Sequence, residues 1–237
     1  MKNIPIFAHR GASAYAFENT FEAFEKAKKL GATGIELDIQ RTKDNEIIVF
    51  HDLDFLRLAG VPKKVAESTL QEIQQLRLGK RLVRRFFPKM VPTFNAVLDW
   101  LHKEEMAVNI EIKASFLGAE SLLTTWLQTL QLPPGSHLSS FHEELLRHCK
   151  SVRPDIEMAL LVTKKFDWQQ LSRIEPIDLV HAHKKYYTRA NLKACDEAGK
   201  KIRIYGVTGK ESYIKNPHPA VIGWITDYPD KVKHAQR

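Results

Sequence analysis

Gly34-Ile35-Glu36-Leu37-Asp38-Ile39-Gln40 alternates apolar and polar residues. Side chains on a strand point to opposite faces in turn. Ile35, Leu37 and Ile39 therefore share one face, and Glu36, Asp38 and Gln40 share the other. A strand of a parallel sheet is normally apolar on both faces, because helices or core cover both. Here one face carries two carboxylates. Burying like charges together is costly unless something neutralises them. A divalent cation does so directly, and hard cations such as Mg²⁺ and Ca²⁺ prefer carboxylate oxygen.

Working outward, Val108-Asn109-Ile110-Glu111-Ile112-Lys113 repeats the pattern, with Asn109, Glu111 and Lys113 on one face. Further strand-like runs cover 4–8, 46–50, 137–141, 157–162, 179–182, 201–205 and 221–226. Helix-like segments follow most of them, at 20–30, 94–103, 119–130, 143–151 and 189–198. Thr188 and Gly199 stand as caps of the last, and Leu30-Gly31 closes the first. Strands alternating with helices imply βαβ units and a parallel sheet. About eight such units in 237 residues point to an α/β fold, the TIM (β/α)₈ barrel, as one domain over 1–237. A doubly wound open sheet is the alternative, although no Gly-x-Gly-x-x-Gly loop follows any strand. About forty residues separate His51 from Val91, far more than an ordinary βα loop. They read as an insertion, approximately 53–90, after the second barrel strand and on the barrel's top face.

Composition narrows the class. Apolar residues make up 43% and charged residues 27%, as in a globular protein with a substantial core. The two cysteines, Cys149 and Cys195, form no Cys-x-x-Cys pair, so they read as free thiols in a reducing compartment. No apolar h-region precedes the first strand, and no stretch approaches the roughly 20 apolar residues of a membrane helix. A cytoplasmic protein, monomer or homodimer, is the expectation. The net charge of +8 favours an anionic partner without naming it.

In a barrel, the inward face at the strands' C-terminal ends lines the catalytic mouth. Glu111 would complete a three-carboxylate metal site with Glu36 and Asp38, and Lys113 would meet a phosphate oxygen or a carboxylate. The plain alternative for one such strand is a buried ion pair serving only folding; two in one barrel favour a site. His9-Arg10-Gly11 follows the first strand and His51-Asp52 follows Ile47-Ile48-Val49-Phe50, so both histidines fall at strand ends. A pair of imidazoles can divide phosphodiester cleavage, one taking a proton from the nucleophile and the other giving one to the leaving oxygen. Arg10 offers a planar fork of donors for phosphate, and Gly11 permits a close turn. In Glu18-Asn19-Thr20, Thr20 or Asn19 caps the first helix, and Glu18 is within reach of His9 or Arg10.

These residues resemble the glycerophosphodiester phosphodiesterase family. The matching pieces are His9-Arg10-Gly11, Glu18-Asn19-Thr20, Gly34-Ile35-Glu36-Leu37-Asp38, Val49-Phe50-His51-Asp52, Asn109-Ile110-Glu111-Ile112-Lys113, Ser139-Ser140-Phe141 and Ile225-Thr226-Asp227-Tyr228-Pro229. The resemblance implies a TIM-barrel hydrolase that cleaves glycerophosphodiesters to sn-glycerol 3-phosphate and an alcohol. It implies His9 and His51 as the acid–base pair, and Glu36, Asp38 and Glu111 as ligands of Mg²⁺ or Ca²⁺. It implies Arg10 and Lys113 as phosphate contacts. Three places depart from the family pattern: Phe17 before Glu18, Tyr205-Gly206-Val207-Thr208 at the end of the seventh barrel strand, and Ile222-Gly223-Trp224 near the end.

Two other readings follow from charge. The basic residues Arg77, Lys80, Arg81, Arg84, Arg85 and Lys89, interleaved with Leu82, Val83, Phe86 and Phe87, fit an anionic lipid surface or a solvated amphipathic helix. A nucleic-acid partner is not expected, since no binding motif is present, nor is stable membrane insertion. His181 and His183 read as residues of the rim or of the site, with the rim favoured.

Overall fold

The computed structural model describes residues 4–79 and 89–237. Its strands are β1 (Ile6–His9), β2 (Gly34–Arg41), β3 (Ile47–Val49), β4 (Ala107–Ile112), β5 (His137–Ser140), β6 (Glu157–Leu161), β7 (Leu179–His183), β8 (Lys201–Tyr205) and β9 (Val221–Thr226). All but β3 pair in parallel, and β1 joins both β2 and β9, so eight strands close into a barrel. Closure rules out the doubly wound open sheet. Around it lie α1 (Phe21–Lys29), α2 (Leu56–Ala59), α3 (Leu70–Gln74), α4 (Phe94–Glu104), α5 (Glu120–Thr129), α6 (Glu143–Val152), α7 (Arg189–Glu197) and α8 (Pro229–Ala235).

The alternation read from β2 holds, and its faces are what the barrel needs. Ile35, Leu37 and Ile39 are fully buried in the layer between barrel and helices, together with Phe24, Val108 and Ile110. Thr20 caps α1, its hydroxyl accepting the Ala23 N–H, and Thr188 caps α7 in the same way. Gly31 and Gly199 take φ of 83° and 63° just past these helices, where a residue without Cβ is least strained. Both cysteines are free and buried; burial pushes the thiols of Cys149 and Cys195 up to about 12 and about 11. Among the described residues, no helix is long and apolar enough to cross a membrane.

One strand reading changes. The run ending before His51 is no βα unit: β3 lies antiparallel on β2, with Val49 opposite Ile39 and Ile47 opposite Arg41. β2 overruns the barrel rim, and the chain turns back along it, until the Phe50 N–H donates to the Asp38 carbonyl at 2.9 Å. His51 thus reaches the mouth by descending from above, whereas His9 rises to it. The segment that follows packs Phe55, Leu58, Val65, Ile73 and Leu78 with Ile48, Phe50 and Val91 into a second small core. The basic run falls mostly on 80–88, outside the described residues; of its ends, Lys89 pairs with Glu22 at 2.5 Å.

Candidate active site

The turn Arg10-Gly11 ends β1 with φ of 56° and 79°. The Gly11 N–H donates to the Ala8 carbonyl at 3.0 Å, and the Arg10 N–H is thereby turned onto Glu36 Oε2 at 2.9 Å. A Cβ on Gly11 would sit 2.6 Å from the Ala23 carbonyl carbon, so this turn packs against α1 only as glycine.

Glu36 and Asp38 rise from β2 and Glu111 from β4, and the Cα register pairs Asp38 with Glu111. Ligand oxygens of these three buried carboxylates all lie within 4.8 Å of one another. Burial and the Asp38 charge push Glu36 up; burial and the same neighbour push Glu111 up. Burial also acts on Asp38, but Lys113 and Arg10 outweigh it and hold its carboxyl low. Lys113 Nζ lies 2.7 Å from Asp38 Oδ1 and also touches Glu111. Arg10 Nε is 3.3 Å from Asp38 Oδ2, which accepts from Asn19 Nδ2 at 2.9 Å. Asn19 is therefore a site residue rather than a cap, at φ 54°.

The donor set fits a hard divalent cation. Three buried oxygens of like charge converge, only partly matched by the neighbouring Arg10 and Lys113, and the Asn109 amide oxygen is buried nearby with no hydrogen-bond partner among the described residues. A cleft of about 210 Å³ is lined by His9, Arg10, Glu36, His51, Glu111 and Tyr205, with Asn109 and His181 deeper. Tyr205, which departs from the family pattern, thus stands on the cleft wall. An adjoining cleft of about 400 Å³ takes His51, Leu53, Lys113 and Phe141 as walls. Of the seven expected site residues, His9, Arg10, Glu36, His51, Glu111 and Lys113 line these two clefts, and Asp38 lies fully buried behind Lys113 and Arg10.

Each histidine is held at one nitrogen. His9 Nδ1 lies 2.7 Å from Asp227 Oδ1, and Ser13 Oγ donates to the same oxygen at 2.9 Å. His51 Nδ1 lies 2.8 Å from Asp52 Oδ1. Burial lowers both imidazoles. For His9, Glu36 and Asp227 outweigh burial, and the net direction is up; for His51 burial wins and the direction is down. Opposite directions suit a donor–acceptor division.

Several placements were not legible in the sequence. Gln40 shares the acidic face but spends its amide on the Phe50 and Asp52 carbonyls, at 3.0 and 2.5 Å, fixing the return of the chain to His51. Glu18, by contrast, is expected from the sequence to reach His9 or Arg10, and it accepts from Arg10 Nη1 at 2.8 Å. His181 is not on the rim: it is fully buried at the bottom of the cleft, and neither of its ring nitrogens has a hydrogen-bond partner among the described residues. His183, half-buried, is the rim residue. Gly223 makes room for Arg203, whose Cδ would be 3.0 Å from a Cβ there.

A closed barrel with buried carboxylates, two oriented imidazoles and two cations at its C-terminal mouth defines a hydrolase of anionic esters. The chain belongs to the glycerophosphoryl diester phosphodiesterase family, whose model matches residues 9–231; such enzymes are hydrolases of phosphoric diesters. It is 32% identical over 232 residues, 95% of this chain and 94% of the relative, to a glycerophosphodiester phosphodiesterase of Caldanaerobacter subterraneus subsp. tengcongensis. It is 30% identical over 234 residues to one of Bacillus altitudinis, covering 95% of each. Among solved structures, the glycerophosphodiester phosphodiesterase of Thermotoga maritima aligns with a TM-score of 0.79 at 24% identity, covering 100% of both chains. An Oleispira antarctica phosphodiesterase in complex with the product sn-glycerol-3-phosphate aligns with a TM-score of 0.83 at 22% identity, covering 98% of this chain and 96% of that one.

Proposed function

We propose that this protein hydrolyses glycerophosphodiesters to sn-glycerol 3-phosphate and an alcohol with the help of a divalent cation, Mg²⁺ or Ca²⁺. The observation that carries this reading is the convergence of Glu36, Asp38 and Glu111 within 4.8 Å between two oriented histidines. The product bound by the Oleispira relative supports the glycerol phosphate half of the substrate.

Glu36, Asp38 and Glu111 would hold the cation. When bound, it supplies Lewis-acid polarisation of a phosphoryl oxygen and orients the ester. Arg10 and Lys113 then contribute fixed positive charge beside the carboxylates, where the phosphate's own charge needs matching. With Nδ1 of each histidine held by an aspartate, Nε2 is the nitrogen left for proton exchange. One imidazole takes the proton of the attacking hydroxyl, and the other returns one to the departing alcohol oxygen. Such help is worth roughly 10²–10⁴ in rate. The same reading takes residues 1–237 as one barrel domain, a monomer or homodimer working in the cytoplasm on a small diffusible diester.

The test is an assay of glycerophosphocholine and glycerophosphoethanolamine with each metal, scoring glycerol 3-phosphate. Turnover should appear with Mg²⁺ or Ca²⁺ and vanish in excess EDTA and in Glu36→Gln. Full turnover in either of those last two conditions would overturn the reading.

A further inference from the structure

Arg57 lies on α2, inside the insertion and away from the carboxylate cluster. No spacing in the sequence marks it. Its guanidinium nonetheless makes four hydrogen bonds to two carboxylates. Nε and Nη2 donate to Asp52 Oδ2 and Oδ1 at 2.6 and 2.9 Å, and Nη1 and Nη2 donate to Glu18 Oε2 and Oε1 at 2.7 and 2.8 Å. Each carboxylate uses its other contacts on the site. Asp52 Oδ1 is the partner of His51 Nδ1 at 2.8 Å, and Glu18 Oε1 accepts from Arg10 Nη1 at 2.8 Å.

We propose that Arg57 is a positioning residue, whose planar fork holds Asp52 and Glu18 together and thereby sets the orientation of His51 and Arg10 at once. An isolated exposed ion pair would contribute little, but bidentate pairs joined in a network are the exception. Because Nη2 bonds to both carboxylates, they are close neighbours. Without the cation between them they repel. Asp52 would then swing from His51, or Glu18 from Arg10. A lysine is a point charge on a flexible stem and can satisfy one carboxylate but not both forks. The proposal rests on the reading of His51 as an acid–base residue. A competing role is purely mechanical: Arg57 could staple the insertion to the barrel and affect stability alone.

Three measurements on the full chain separate these. In Arg57→Ala, turnover of glycerophosphocholine should fall about 10²-fold, as for misplacement of reacting groups by about 1 Å, with kcat lowered and KM raised. Added guanidinium ion should restore part of the loss. Long-range ¹H–¹⁵N spectra of the imidazoles should show His51 as the Nδ1–H tautomer in the wild type and as a mixture in the variant. Arg57→Lys should also lose turnover and show a His51 tautomer mixture, though with its stem filling the site it is not expected to respond to guanidinium, and these two readouts serve alone if Arg57→Ala fails to fold. Wild-type turnover in either variant overturns the proposal. So does a loss that guanidinium leaves unrestored while His51 keeps its tautomer, which is the behaviour of a staple. The tautomer is read without turnover, so its failure is distinct from failure of the acid–base reading, which full activity of His51→Asn would bring about.

Discussion

His9 and Asp227 stand 218 positions apart in the chain, yet Nδ1 of the first lies 2.7 Å from Oδ1 of the second. Barrel closure brings them together, since β1 pairs directly with β9 and Ala8 lies opposite Thr226. The carboxylate fixes which nitrogen of His9 carries its proton and raises the imidazole's affinity for a second. Asp227→Asn keeps the shape and removes the charge. Its kcat should fall about 10²-fold or more, because an amide can present the wrong partner to Nδ1. The pH at which His9 titrates should move down, which NMR of the imidazole protons measures. An unmoved titration would show that Glu36 and not Asp227 governs His9.

Metal removal has a thermodynamic readout independent of turnover. A cation that binds only the folded chain stabilises it by RT ln(1 + [L]/Kd), about 2.7 kcal/mol at a hundredfold excess over Kd. Thermal unfolding should therefore shift upward with Mg²⁺ or Ca²⁺ and return with EDTA. In Glu36→Gln or Glu111→Gln the shift should shrink strongly. The variants themselves should be no less stable than the metal-free wild type, since each removes a like charge from a buried cluster. A metal-induced shift that survives in both variants would place the cation elsewhere.

The parts of this site that sequence periodicity reveals are those set by one strand. Glu36 with Asp38, and Glu111 with Lys113, follow from alternation within β2 and β4. His51 was also found, but for an incomplete reason: a strand end predicts a place at the mouth only if the strand runs with the barrel, and β3 runs against it. Partners that depend on register between distant segments left no such pattern. Gln40 looks like a third site residue on the acidic face and instead ties down the chain before His51. Arg57 resembles any exposed helix arginine, and His181 any histidine near a strand end. Their roles come from closure and from the fold of the insertion, which no local period encodes.

Acid stability tests the buried polar layer under the cleft. His137 and His181 are fully buried with ring centroids 5.2 Å apart. Burial first, then the Arg203 charge, pushes both well below the usual imidazole range. Each stays neutral in the folded chain while the unfolded chain takes a proton near pH 6.5. The unfolded state therefore binds more protons as pH falls below 6.5, and stability is lost at about 1.4 kcal/mol per pH unit for each histidine. His9 works in the opposite sense, and carboxylates held low, such as Glu211, act only nearer pH 4.5. Urea unfolding between pH 6.5 and 5 should thus be shallower in His137→Gln by about one histidine's slope. An unchanged slope would mean that His137 is protonated in the fold.

Gly11 and Gly118 separate two costs that a glycine can hide. Both have positive φ, 79° and 73°. A Cβ at Gly118 meets nothing within 4 Å, whereas one at Gly11 meets the Ala23 carbonyl carbon at 2.6 Å and Ala23 Cβ at 2.7 Å. Gly118→Ala should therefore cost only the left-handed backbone term, about 1–2 kcal/mol. Gly11→Ala adds overpacking against α1, about 1–3 kcal/mol more. The second change also carries a functional consequence, since the Arg10 N–H that Glu36 accepts belongs to the same turn. Relief of the clash moves that N–H, and Glu36 loses the donor that fixes its carboxylate. Gly11→Ala should then lower metal affinity in calorimetry as well as the urea midpoint, while Gly118→Ala lowers only the midpoint. Equal loss of metal affinity in the two variants would show that general destabilisation, not the placement of the Arg10 N–H, is responsible.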